Sequence, residues 1–84
     1  MYRLDINDYT KDRMETEAFR HFCDLVAKLT REATQCCDSL DLPPDVRDRA
    51  DDELRGCLHE EFSGAMRIYN TKHELVFLAA WCRY

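Results

Sequence analysis

The apolar positions between Asp12 and Leu40 recur with a helical period. Phe19, Phe22, Val26, Leu29, Ala33, Cys36 and Leu40 follow one another at alternating steps of three and four, which puts them on one stripe of an α-helix. Met14, Ala18 and Leu25 widen the stripe, while Lys11, Arg13, Glu17, Arg20, Lys28, Arg31 and Glu32 fall mostly on the other face. Asp12 followed by Glu15 has the form of a capping box, so the pattern predicts a first helix over residues 12–40. Pro43-Pro44 ends it, because proline lacks an N–H and disfavours a helical residue before it. Val46, Ala50, Leu54, Leu58, Phe62, Ala65 and Tyr69 then recur at steps of four with a single step of three. They predict a second helix from Pro44 or Asp45, antiparallel to the first because the connection is short. Gly56 weakens this helix, and Gly64 after Ser63 is a candidate stop.

The last third reads in two ways. Thr71-Lys72-His73-Glu74 matches another capping box, ahead of the apolar run Leu75-Val76-Phe77-Leu78-Ala79-Ala80-Trp81-Cys82, and predicts a third helix. A run of this length also suits a buried strand. Residues 66–69 and 75–81 then form a hairpin around Asn70-Thr71-Lys72, and the alternating Tyr2, Leu4 and Ile6 supply another strand. Ala79-Ala80 and the capping box weigh toward helix. The expected fold is mainly α, a long antiparallel helical hairpin closed by a C-terminal helix to make a helical bundle, in a single small domain over 1–84. The alternative is α+β, with two helices on a small antiparallel sheet from residues 1–6, 66–69 and 75–81.

Composition changes this picture little. With 84 residues, 45% of them apolar, the core is real but thin, so burial against a second copy is welcome and a homodimer is expected. No apolar run reaches 18 residues, and Met1-Tyr2-Arg3-Leu4-Asp5 lacks the apolar centre of a secretory signal; a cytoplasmic protein with no membrane partner is expected. Five cysteines are an odd number without a C-x-x-C pair, which reads as reduced thiols packing as small hydrophobes.

Charge is more informative. The net charge of −5 resides in residues 38–53, where Asp38, Asp41, Asp45, Asp48, Asp51, Asp52 and Glu53 face only Arg47 and Arg49. Acids in a first turn satisfy free N–H groups and the helix dipole, which accounts for Asp45 and Asp48 but not for Asp51, Asp52 and Glu53. A solvated acidic face is the plain reading of the segment; the functional reading is a docking surface for a basic partner, with Asp45, Asp48, Asp51, Asp52 and Glu53 as the partner-binding residues. The same charge excludes direct nucleic-acid binding, which needs a positive footprint.

Motifs with chemistry are few. Asp38-Ser39-Leu40 resembles the triplet that carries the phosphopantetheine serine of acyl carrier proteins, but Pro43-Pro44 interrupts the helix that should follow. Arg67 and His73, with five residues between them, resemble the arginine–histidine pair of HEPN-type ribonucleases, which implies a small dimeric nuclease with the pair on a helix. Cys57, His59, Glu60 and Glu61 are a local donor cluster, but Cys57 and Glu61 share a helical face that His59 leaves. An EF-hand from Asp41 fails because Pro43 and Val46 stand where a ligand and a glycine are required. No metal and no cofactor are expected, no catalytic residue is assigned, and with two glycines a phosphate-cradling loop is excluded. Tyr2, Tyr9, Tyr69, Trp81 and Tyr84 are candidates for an exposed aromatic patch.

The sequence thus points to a non-catalytic protein-binding module that occludes a basic or nucleic-acid-binding partner. Compact acidic antitoxins and phage-encoded defence inhibitors such as anti-CRISPR proteins are analogous in size and charge. The alternatives are the HEPN-like ribonuclease and a homo-oligomeric structural protein that self-associates through the 19–40 seam.

Overall fold

The computed structural model describes residues 1–57 and 59–84, Cys57 by its backbone alone, so Leu58 of the second seam lies outside the described residues. The chain is α+β. Strands β1 (Tyr2–Asp8) and β2 (Arg13–Phe19) form a hairpin, helices α1 (Phe22–Leu40) and α2 (Pro44–Cys57) follow, and β3 (Ser63–Tyr69) and β4 (Leu75–Arg83) form a second hairpin. The strands make one antiparallel sheet in the order β2-β1-β4-β3. The two ends of the chain are therefore neighbours at its centre, with Tyr2 opposite Arg83, Leu4 opposite Trp81 and Asp8 opposite Phe77.

One face of the sheet is buried and the other is open. Tyr2, Leu4 and Ile6 of β1, Met66 and Ile68 of β3, and Phe77, Ala79 and Trp81 of β4 point inward at period two. They meet Leu25, Leu29, Ala33, Cys36 and Cys37 of α1 and Ala50 of α2 in one core. On the other face Arg3, Asp5, Asn7, Ala65, Arg67, Leu78, Ala80 and Cys82 are half or fully exposed, as an antiparallel sheet tolerates.

The helical bundle is overturned at three places. The capping-box residue Asp12 closes the first hairpin turn in a left-handed conformation, φ 50°, and Arg13–Phe19 is a strand. The helical stripe is sound only from Phe22. Before that, Arg13, Glu15 and Glu17 alternate with Met14, Thr16 and Ala18, and the alternation places all three charges over the helix-facing side of β2. The second helix stops at Cys57, and the residues meant to extend it, Ala65 and Tyr69, lie on β3. The third helix is β4. Its apparent capping box is a turn built by Asn70, whose Oδ1 accepts the amides of Lys72 at 2.9 Å and Glu74 at 3.0 Å, an Asx-type arrangement that competes with helix initiation. The α+β alternative located strands at 1–6, 66–69 and 75–81 but still assigned Arg13–Phe19 to helix.

Burying charges beneath β2 requires pairing, and α1 supplies it. Arg13 Nη2 donates to Glu32 Oε2 at 2.7 Å and lies 3.1 Å from Glu15; Lys28 Nζ lies 3.0 Å from Glu15 and 3.1 Å from Glu32. Glu32, expected on a solvent face, is 6% exposed. Burial alone pushes its carboxyl up, but Lys28 and Arg13 outweigh that and hold it below the usual carboxylate range. Asp8 is also buried, with its Oδ1 accepting the Thr10 amide at 3.0 Å to shape the first hairpin turn.

Gly64 is needed for a steric reason. It faces Trp81 across the β3–β4 ladder, and a Cβ there would lie 2.4 Å from Trp81 Cζ2. The indole is held in place by donating Nε1–H to the Glu60 carbonyl at 2.7 Å. Gly64→Ala must displace this ring, at a cost of about 2 kcal/mol for an overpacked site. The expected readout is a lower urea midpoint with a shifted emission of the single tryptophan.

The Glu32 network sets an acid limit. A carboxyl held below its unfolded value, about 4.3 for glutamate, contributes stability that is present above that pH and lost as pH falls through the folded value. Glu32→Gln is expected to cost about 2 kcal/mol near neutrality and to flatten the fall in stability below about pH 4, as measured by urea unfolding across that range.

Candidate functional site

Helix α2 carries the candidate acids. Pro44 starts it and Asp45 lies in its first turn, while Arg55 lies in its last, a charge order that suits the helix dipole. Its inward stripe is narrow: Ala50 is buried, Leu54 packs half-buried against the core, and Val46 is half-buried. The remaining positions are polar, so the five sequence-predicted residues do not form one surface.

Asp48 and Asp52 lie on the outer, exposed side of α2, and Asp45, also exposed, stands where that side borders β3. Their cationic neighbours are loosely held: Arg49 is 3.9 Å from Asp45 and Arg55 is 3.6 Å from Asp52, with all four side chains about three-quarters exposed. Pairs of this kind contribute little and exchange readily with another partner. Asp51 instead turns toward Arg47, 3.8 Å away, and the Arg47 guanidinium is bound to Asp38 of α1 at 2.8 Å. The Asp38 hydrogen bond holds that guanidinium above its ordinary range, and the pair ties the two helices together. Glu53 turns to the sheet, where its Oε1 accepts the backbone amide of Arg67 at 3.0 Å. Since β3 has a strand on one side only, this carboxylate covers part of an otherwise open sheet edge.

Between α2 and β3 lies a cleft of about 470 Å³. Val46, Ala50 and Ile68 line its apolar part, and Asp45, Glu53 and Tyr69 stand around them. Arg67 and His73, singled out as a nuclease pair, also reach this cleft, but Arg67 is on a strand and His73 occupies the β3–β4 turn at φ 62°. The shared helix on which the ribonuclease resemblance depends does not exist.

The remaining candidates disperse. Tyr2 and Trp81 are core residues, Tyr9 and Tyr69 sit beside the hairpin turns, and Tyr84 lies at the terminal end, so the aromatic patch is not formed. The seam proposed for self-association is spent against the sheet. Cys36 and Cys37 are buried thiols, Cys36 pushed up to about 12 by burial and then by Asp8, while the free thiols Cys23 and Cys82 are exposed. Cys82, placed with the helical apolar pattern, lies on β4. The side chain of Cys57 lies outside the described residues, and among those described no three His, Cys, Asp or Glu side chains converge as metal donors. Among them, no helix is long and apolar enough to cross a membrane.

Sequence reasoning missed the cleft because Val46 and Ile68 belong to different elements, and their meeting depends on β3 being a strand. The Glu53 bond is checked by Glu53→Ala, which is expected to speed exchange of the Arg67 amide by on the order of tenfold in hydrogen-exchange NMR, with the β1–β4 amides unchanged. No protein-family model, curated protein or solved structure matches this chain.

Proposed function

We propose that this protein is a non-catalytic protein-binding module that uses the outer side of α2 to occupy a basic surface of a partner protein. The observation that carries the reading is the placement of charge. Of the seven acids in residues 38–53, the segment that holds the net charge of −5, five lie on α2, the more polar helix, and Asp45, Asp48 and Asp52 are exposed on it beside loosely paired arginines. Exposed charge of one sign steers encounter with an oppositely charged surface and fixes its orientation. A partner that itself binds nucleic acid presents such a surface, and its occlusion is inhibition. The analogy with compact acidic antitoxins and anti-CRISPR proteins is one of size and charge.

The structure narrows the set to be tested. Asp51 and Glu53 serve internal contacts, so their substitution mixes folding with binding; Asp45, Asp48 and Asp52 do not carry the core. Lysine at Asp48 and Asp52 together is expected to slow association with the captured partner by on the order of tenfold at low salt. The dissociation rate should change less and the melting temperature little, as measured by surface plasmon resonance and calorimetry. Association that is unchanged by the reversal and by added salt would refute the electrostatic reading.

A further inference from the structure

The cleft between α2 and β3 adjoins the acidic side of α2. We propose that it seats one basic side chain, an arginine or lysine, of the partner protein; this rests on the docking role assigned to α2 above. Such a side chain has an apolar stem and a cationic head, and the cleft offers a surface for each. Val46, Ala50 and Ile68 form the apolar part. The Tyr69 ring, 45% exposed, stands beside it as a face for a cation. Asp45 and Glu53, two helical turns apart on α2, bring carboxylates to the same opening. Glu53 is oriented in advance, because its Oε1 accepts the Arg67 amide. The volume of about 470 Å³ lies within the range of binding clefts, roughly 300–1,000 Å³.

The cationic groups at the rim do not reverse this sign. Arg49 also lines the cleft but is held in an exposed 3.9 Å pair with Asp45, which an incoming guanidinium displaces at little cost. Arg67 lies opposite Leu78 in the ladder, a register that turns its side chain toward the open face of the sheet. His73, which also lines the cleft, sits in the β3–β4 turn with its amide donating to the Asn70 carbonyl at 3.0 Å. An anionic ligand would have to approach against the charge concentrated in residues 38–53.

The test is an amide-shift NMR titration of the intact protein with a capped hexa-arginine peptide at low ionic strength, and with capped hexa-glutamate as the opposite-sign probe. Saturable shifts centred on residues 45–53 and 68–73 are expected with hexa-arginine only. Tyr69→Ser combined with Glu53→Gln should weaken binding by about tenfold; the glutamine oxygen still accepts the Arg67 amide, and an unchanged melting temperature verifies the fold. Weakening by Asp48→Asn with Asp52→Asn but not by the cleft pair would overturn the cleft and leave the docking face standing. Absence of saturable hexa-arginine binding would overturn both, and tighter binding of hexa-glutamate would overturn the sign of the site.

Discussion

Pairing between the two ends of the chain holds this architecture together. Each hairpin alone, β1–β2 or β3–β4, is a two-stranded ribbon, and such ribbons are marginal in water. The antiparallel ladder from Tyr2–Arg83 to Asp8–Phe77 fuses them into four strands and creates the apolar surface on which α1 lies. Backbone bonds continue it at both ends, from Tyr84 N to Met1 O at 2.9 Å and from Tyr9 N to Val76 O at 2.9 Å. The β1–β4 contacts thus join residues at opposite ends of the sequence, and closing so long a loop costs entropy that the packing of the helices on the sheet must offset.

This dependence explains what could be read from the sequence and what could not. The stripe from Phe22 to Leu40 and the break at Pro43-Pro44 are local signals, and α1 and α2 form where those signals lie. Strand β4 was ambiguous because Leu75-Val76-Phe77-Leu78 carries no polar residue to mark its faces. Only the partners Leu4, Ile6, Met66 and Ile68 decide which of its side chains are inside. Strand β2 was hidden by an accident of phase. Phe19, at its end, stands three residues before Phe22 and so extends a helical pattern backward, while the true alternation of Arg13, Glu15 and Glu17 is one of charge. Charged residues facing inward make sense only when Lys28 and Glu32 are known to lie above them. Of the candidate site, the acidic character of α2 was legible; the division of labour among its acids was not, because Asp51 and Glu53 are turned by Arg47 and by the β3 edge.

The two edges of the sheet are closed to other strands by different means. At β2, inward charges are tied to α1 through Arg13, Glu15, Lys28 and Glu32, a device that penalises addition of another strand. At β3, the cover is α2 itself, with Glu53 on the Arg67 amide. The first edge is guarded by a network of which one member is almost fully buried. The second is guarded by a helix whose only buried side chain among those described is Ala50, 8% exposed. The sheet is accordingly firm on the α1 side and lightly covered on the α2 side, where the cleft lies.

That asymmetry bears on why the acids are where they are. A helix with a narrow apolar stripe derives much of its stability locally, from proline in its first turn, acids near its start, a base near its end and pairs four residues apart. Its outer positions then make few demands on the core and are open to selection for display. Solubility alone would be served by acids spread over the surface, since crowding like charges on one element adds self-repulsion. Here ten acids and ten bases balance over the remainder of the chain while seven acids face two bases in residues 38–53. Five of those seven acids lie on α2, the helix least committed to the core, and the exposure of Asp45, Asp48 and Asp52 beside the α2–β3 cleft is the physical ground for the proposed docking role.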